Sequence, residues 1–384
     1  DPMRDVVVVG AGPAGCRAAA LLSPDRDVMV LEEHDVPGSP VQCTGLITDE
    51  VIRMSGVRPD ILSTISGAHV LFPGGGRVTV RSRSHFARLI DRGSFDGMMA
   101  DAAASAGAEF AFGTRYGRHS LQDGHVSIET SAGNIRSRLL IGADGHSSAT
   151  ALSLTDNGPA EYIRGIQVDV RSRCEEDDTM TLRLGSAVAP GFFSWEIPFG
   201  DFTRVGLCTE WSAGPPKTYL SSLLRISGLA DREVIRRYSG KIPIGGRRRT
   251  YGERMLLIGD AAGQVKPVSG GGLYPAFKAA PFLKEAADRA FSSENFSPRS
   301  LSRYEKGWKG EIGRELRRGY ALRKMYRKMS DGDLDRAGRV LCRPRARHAL
   351  GDLDLDHPSS VAREIAKDVP ALVGLMPLAL KGLL

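Results

Sequence analysis

Three glycine-and-acid turns hold most of the residues in this chain whose types and spacing suit chemistry. Gly10-Ala11-Gly12-Pro13-Ala14-Gly15 follows the apolar run Val6-Val7-Val8-Val9 and opens a helix. In such a turn the first glycine permits the bend, the second lets a pyrophosphate lie against the backbone, and the third packs helix on strand. The helix N-terminus then offers free N–H groups and a positive dipole end to the phosphates. Gly10, Gly12, Ala14 and Gly15 are therefore expected to border a dinucleotide. Glu32 lies 22 residues after Gly10, at the end of the second strand, where a carboxylate accepts hydrogen bonds from ribose hydroxyls. Its neighbour Glu33 reads as a surface residue. A carboxylate at this place repels a 2′-phosphate, so the site suits FAD or NAD better than NADP.

The other two turns extend the pattern toward FAD. Leu139-Leu140-Ile141 runs into Gly142-Ala143-Asp144-Gly145, and Met255-Leu256-Leu257-Ile258 runs into Gly259-Asp260-Ala261-Ala262. Asp260, at a strand end, can bind the ribityl or ribose hydroxyls of an extended cofactor. Further on, Gly270-Gly271-Gly272 precedes Leu273 and would open a helix whose N–H groups face an anionic acceptor. Reduced flavin carries negative charge at N1 and the neighbouring carbonyl, which suits that position. A separate segment, Phe193-Ser194-Trp195-Glu196-Ile197-Pro198, reads as a strand with Phe193, Trp195 and Ile197 on one face. Such a face is ordinary core in most proteins. Beside flavin turns it becomes a wall for a hydrocarbon, worth ~0.8 kcal/mol for each CH₂ it buries.

The elements that must position these residues are readable in outline. Val6–Val9 and Val28–Leu31 read as parallel strands covered on both faces, with a helix from Pro13 to Leu22 between them. A second helix is expected from about Phe95 to Ala106, on the spacing of Phe95, Met98, Met99 and Ala102, ending at Gly107. Short apolar strands are expected near 138–141 and 255–258, whereas 66–84 and 161–211 alternate as antiparallel strands do. The fold class expected is α/β with an α+β insertion. A Rossmann-like FAD-binding domain is assembled from 3–66, 85–160 and 246–300. An antiparallel-sheet substrate domain comes from 67–84 and 161–245, and a helical region from 301–384.

Composition narrows the class. Hydrophobic residues are 41% and charged residues 25% of the 384, values of a globular chain able to bury a large core and of neither a disordered nor a polytopic membrane protein. The five cysteines are too scattered for a disulfide framework or for metal-ligand spacing, so no metal is expected. No cationic-then-apolar leader is visible, and a reducing cytoplasm is the expectation. Of the net charge of +7, residues 301–350 supply 15 Lys and Arg against 6 Asp and Glu, so the rest of the chain is slightly acidic. The run from Arg314 to Lys328 reads either as a solvated helix face or as a patch for anionic lipid headgroups or an acidic protein. Nucleic acid is not expected, since no recognised nucleic-acid module accompanies it. The apolar stretch Val369–Leu384 is short of the ~20 residues a membrane span requires and is read as a packed or interfacial helix.

In this order the motifs resemble the p-hydroxybenzoate-hydroxylase-like flavoproteins and, more narrowly, the geranylgeranyl reductase family, which saturates prenyl double bonds in archaeal lipids, quinones and chlorophyll precursors. The resemblance covers roughly residues 4–300. It rests on the first glycine turn with Glu32, on Gln42-Cys43-Thr44-Gly45 against the family's C-x-G, and on Asp91-Arg92 with Phe95-Asp96. Phe193–Pro198 matches the family's Y-x-W-x-F-P, with Phe193 for Tyr and Ile197 for Phe, and Gly259-Asp260 through Gly272 completes it. The resemblance implies that Cys43, Thr44 and Leu46 border the flavin, that Arg92 binds the cofactor, and that Gly272 and Leu273 contact the isoalloxazine. It implies FAD as cofactor, Phe193, Trp195 and Pro198 as substrate wall, and a prenyl lipid as substrate. NAD(P)H or a ferredoxin-like protein would donate electrons, and the basic region would touch the membrane face peripherally.

Cys43 then has two readings: a small packed thiol beside the cofactor, or a proton donor or positioning group. Saturating an isolated double bond takes a hydride equivalent on one carbon and a proton on the other. A thiol with an ordinary pKa near ~8.5 holds that proton at neutral pH. Cys16, Cys174 and Cys208 read as packing. Rival activities are an FAD-dependent aromatic monooxygenase on the same fold and a non-catalytic polyprenyl-binding flavoprotein. Flavin halogenases carry a related W-x-W-x-I-P motif but use a lysine upstream of it, and this chain has no lysine before Lys217.

Overall fold

The computed structural model describes residues 3–41, 43–154 and 158–360. Its first sheet is built around the strand Arg4–Val9, which pairs in parallel with Val28–Leu31 on one side and Gly133–Gly142 on the other. The sheet extends past Val28–Leu31 to Glu109–Ala111, and past Gly133–Gly142 to Met255–Leu257 and Tyr251–Gly252. The unbroken valine run is explained by its surroundings. Val6 and Val8 pack under the helices Pro13–Leu22, Arg92–Ser105 and Leu273–Ser292, while Val7 and Val9 join Leu31, Leu140, Val126 and Ile128 on the other face. That second cover is an antiparallel hairpin, Tyr116–Gln122 with His125–Thr130.

The helix expected at Phe95 begins at Arg92, because the Asp91 carboxylate caps it by accepting from the Ser94 N–H at 2.7 Å. Its buried stripe is Phe95, Met99 and Ala103, with Asp96 beside them; Met98 and Ala102 lie half-buried at its margins.

The second sheet has seven strands in the order Val234–Ile244, Glu161–Val170, Phe202–Glu210, Ser194–Phe199, Thr179–Arg183, Gly67–Leu71 and Arg77–Arg81. All neighbours are antiparallel except Thr179–Arg183 with Gly67–Leu71. One face carries Val168, Val170, Val205 and Leu207 under Leu220 and Leu223 of the helix Pro216–Ile226. The opposite face, with Trp195, Ile197, Met180 and Val78, is covered by Tyr326, Met329 and Leu334 from the C-terminal helices. A small three-stranded sheet (Leu46–Ile47, Ala87–Leu89, Ser63–Ile65) joins the two halves: Ile47 packs into the first core and Leu46 into the second.

The C-terminal region consists of the helices Pro298–Glu311, Gly313–Tyr326, Asp331–Leu341 and Pro344–Gly351 within the described residues. Its basic run is only partly a surface patch, which corrects the expectation. The Arg323 side chain is 2% exposed, donating Nε to Glu161 at 2.7 Å and Nη1 to the Gly191 carbonyl at 2.9 Å. Arg327 pairs with Glu161 and Glu210. Both cations are thus spent fastening the helix Gly313–Tyr326 to the seven-stranded sheet, leaving Arg314, Arg317, Lys324 and Lys328 exposed. Val369–Leu384 lies outside the described residues. Among the described residues no helix is long and apolar enough to cross a membrane.

Candidate functional site

The first glycine turn is shaped by close backbone approach. Gly10 adopts φ +103°, and a Cβ there would lie 2.5 Å from the Ala143 carbonyl oxygen; one at Gly15 would lie 2.0 Å from that of Gly10. Gly12 differs. It caps the helix Pro13–Leu22 without a side-chain hydrogen bond, and a Cβ there would meet nothing within 4 Å. Open space and uncapped N–H groups therefore coincide where a pyrophosphate is expected, with Ala14 in the first helical turn beside them. Glu32 holds this turn: Oε2 accepts from the Ala11 N–H at 2.8 Å, and Oε1 accepts from the His34 N–H at 3.0 Å. The carboxylate is mostly buried, while Glu33 is exposed.

The two remaining acidic turns are not equivalent. Asp144 spends its carboxylate locally, accepting from Ser148 Oγ at 2.6 Å and the Thr150 N–H at 2.9 Å. Asp260 takes no hydrogen bond on its carboxylate from any described residue. Burial pushes its pKa up to about 6, against the opposing pull of the Arg92 charge. A buried network holds the turn: Gln264 accepts from the Gly259 N–H at 2.8 Å and donates to Tyr304 Oη at 2.8 Å, which donates to the Leu257 carbonyl. Gly272 faces Asp260 and caps the helix Leu273–Ser292, again with no side-chain hydrogen bond. Leu273 is half-buried against the first core.

Cys43 sits between the two halves of the molecule; Gln42 beside it lies outside the described residues. On the side of the first sheet the thiol interacts electrostatically with Arg92, whose guanidinium is bidentate on Asp96 at 2.9 and 3.1 Å. Burial disfavours the Arg92 charge, but Asp96 and the Cys43 sulfur outweigh it and raise the pKa above its ordinary value. On the side of the seven-stranded sheet, side chains hold two successive carbonyls. Gln167 Nε2 donates to the Cys43 oxygen at 3.3 Å, and Arg204 Nη1 donates to the Thr44 oxygen at 2.7 Å. Arg204 is itself fixed by a buried bidentate pair with Asp169, at 2.7 and 3.0 Å. Leu46 continues this segment into the core that contains Trp195 and Ile197.

The aromatic wall is present in part. Phe193 and Trp195 meet edge to face at 6.1 Å between centroids, and both are half-buried; Ile197, on the same face, is buried. Pro198 does not join them. It alternates to the opposite face of the strand with Ser194 and Glu196, so the expected trio is a wall of Phe193 and Trp195 with Ile197 behind. The remaining cysteines are packing or surface groups. Burial raises the thiols of Cys16, Cys174 and Cys208, the last to about 12, and Cys342 is exposed.

Sequence reasoning missed Gln167, Asp169 and Arg204, and also Lys266. Lys266 donates to Asp356 at 2.7 Å and to the Leu355 carbonyl at 2.8 Å, while Thr48 donates to the same Asp356 at 2.6 Å. That buried knot draws residues 355–356 onto the loop leading to Gly270–Gly272. The available signal for the others was a polar residue at every second place in apolar strands, Gln167 and Asp169 in one and Arg204 in the next. Together the residues fit a flavin dinucleotide: open backbone at Gly12, a carboxylate at Asp260 that accepts no hydrogen bond from the described residues, an uncapped helix start at Gly272, and an Arg92 charge felt at Asp260 and bordered by Cys43.

Comparison with known proteins agrees with this geometry. Residues 5–341 match the family model described as lycopene cyclase protein. Digeranylgeranylglycerophospholipid reductase 2 of Methanothermobacter thermautotrophicus is 31% identical, over 97% of this chain and 98% of its own. Digeranylgeranylglycerophospholipid reductase of Methanocaldococcus jannaschii is 30% identical, over 88% and 90%. The crystal structure of a geranylgeranyl bacteriochlorophyll reductase-like protein from Thermoplasma acidophilum superposes with a TM-score of 0.88 at 22% identity, over 100% of this chain and 99% of that one. The flavin-dependent halogenase CmlS shares the fold at a TM-score of 0.67 and 18% identity, over 97% and 78%. The chain belongs to the family that the lycopene cyclase model describes and, through its curated relatives, to the geranylgeranyl reductase family of FAD-dependent oxidoreductases.

Proposed function

We propose that this protein is an FAD-dependent reductase that saturates isolated double bonds of geranylgeranyl or related prenyl chains in membrane-lipid precursors. The observation that carries the reading is the place of Cys43. Its thiol lies against the Arg92–Asp96 pair on the nucleotide side, and its backbone is tied to the sheet that bears Trp195 on the other. Bound FAD would supply the hydride equivalent for one alkene carbon. Gly10, Gly12, Ala14, Gly15 and Glu32 would hold its adenosine and pyrophosphate, Asp260 its ribityl or ribose hydroxyls, and Arg92, Gly272 and Leu273 its ring system, with Cys43, Thr44 and Leu46 alongside.

The chain's own part in the reaction is placement and a proton. Phe193 and Trp195 present an apolar, half-buried face on which a hydrocarbon lies by burial rather than by polar anchors. The knot of Lys266, Asp356 and Thr48 holds the C-terminal segment on the loop that leads to Gly270–Gly272. Cys43 Sγ holds the proton that the second alkene carbon requires. Reducing equivalents come from a separate donor, NAD(P)H or an acidic carrier protein.

The test is anaerobic. The flavin is photoreduced, a geranylgeranyl lipid is added, and return of the oxidised spectrum is timed by stopped flow. Wild type should reoxidise, and Cys43→Ala should retain FAD yet reoxidise ~10²–10⁴-fold more slowly, the usual loss on removing a positioned acid. A wild type that no prenyl lipid reoxidises would sink the reading. Reoxidation of Cys43→Ala at the wild-type rate would assign the proton to another group.

A further inference from the structure

Gln167 joins the aromatic wall to the cysteine loop, and chemistry leaves its amide a single orientation. The Trp195 indole N–H can only donate and the Cys43 carbonyl can only accept. Gln167 Oε1 therefore accepts from Trp195 Nε1, at 3.1 Å, and Nε2 donates to the Cys43 oxygen, at 3.3 Å. The side chain belongs to a residue only 5% exposed, so losing either bond strands a buried polar group. Sheet register accounts for the contact. Gln167, Gly206 and Trp195 are neighbours across three adjacent strands. A Cβ at Gly206 would lie 2.6 Å from the indole ring carbons, so the missing side chain is what lets the indole lie back over the middle strand and reach Gln167.

We propose that Gln167 is a positioning residue that carries the placement of Trp195 to the backbone of Cys43, so that the wall of the prenyl site and the thiol are set as one unit. The proposal rests on the roles given above to Trp195 and Cys43. The adjacent carbonyl, that of Thr44, answers to Arg204, which its pair with Asp169 fixes independently of the wall. Gln167 is thus the bond through which the position of a half-buried ring reaches the proton-bearing residue. The two ends need one acceptor and one donor, which the amide supplies. Glu would keep the acceptor for Trp195 but turn a carboxylate oxygen toward the carbonyl, and Met would lose both bonds while keeping the volume.

A double-mutant cycle read at Cys43 tests this. In FAD-loaded protein carrying Cys174→Ser and Cys342→Ser, alkylation of Cys43 by iodoacetamide is followed for wild type, Trp195→Phe, Gln167→Met and the double variant. Each single substitution should change the rate by the same factor and in the same direction, roughly 3- to 10-fold for one buried hydrogen bond. The double variant should match Gln167→Met alone, because both remove one link. Effects that multiply, or a Trp195→Phe rate equal to wild type, would overturn the proposal. FAD content and circular dichroism establish folding; should Gln167→Met fail to fold, Gln167→Glu takes its place and should alter Cys43 equally. In the reoxidation assay Gln167→Met should lower kcat with KM little changed. A wild type that no prenyl lipid reoxidises would overturn the functional reading, while the alkylation cycle would still decide the link from Trp195 to Cys43.

Discussion

Replacing Asp260 by Asn should stabilise the flavin-free protein above pH 6 and weaken its hold on FAD. In the folded chain burial brings the carboxyl from the ordinary 3.8 to about 6. Between those values the unfolded chain has released a proton that the folded chain keeps, so stability is full below about pH 4 and is lost as pH rises through 6. The whole displacement corresponds to about 3 kcal/mol, of which roughly half has been lost by pH 5. Asn never ionises and escapes this loss. Urea unfolding of flavin-free wild type and Asp260→Asn at pH 5.0 and 7.5 measures it. The advantage of the variant should widen by about 1–2 kcal/mol over that interval. FAD affinity should fall about 10-fold or more, since a hydrogen bond to a charged acceptor is worth ~1.5–3 kcal/mol. Parallel pH profiles, or an Asn variant less stable at pH 7.5, would refute the reasoning: Asp260 would then be a satisfied structural group rather than a carboxylate kept open for a ligand.

Glu32→Ala should weaken FAD binding by ~1–3 kcal/mol, measured by flavin fluorescence titration, because it removes the acceptor proposed for the ribose and strands the Ala11 N–H together. Trp195→Ala should impair prenyl turnover while leaving the flavin absorption spectrum nearly unchanged; early unfolding with loss of FAD would make the indole plain core. Sedimentation with vesicles should require acidic lipids and fade with added salt, since the Debye length is only ~8 Å at 0.15 M. The exposed cations Arg314, Arg317, Lys324 and Lys328 should carry that binding, and reversing Arg314 and Arg317 to Glu should abolish it; equal binding to neutral vesicles would exclude the patch.

What the sequence made legible and what it hid divide along a physical line. The glycine turns, the valine strand and the helix Pro13–Leu22 are specified by neighbours a few residues apart, through backbone approach and through burial on both faces of a parallel strand. A linear reading finds such constraints. The helix Pro216–Ile226 and the strand Val234–Ile244 carry weaker local signals, with only Leu220 and Leu223 marking the buried side of the helix. The basic run shows the limit more sharply. Arg323 and Arg314 look alike in a charged helix, and only a carboxylate 162 positions away, Glu161, separates a buried clamp from a solvated cation. The same holds at the site. Gln167 lies 124 residues from Cys43, and Arg204 lies 160 from Thr44, yet these two side chains hold the loop that carries Cys43 and Thr44. A polar residue facing inward from an apolar strand is costly unless partnered. Its presence in a sequence therefore announces that a partner exists without saying where. In this protein Gln167 and Arg204 face inward from the seven-stranded sheet to successive carbonyls of the cysteine loop, and Asp169 faces inward to hold Arg204 there.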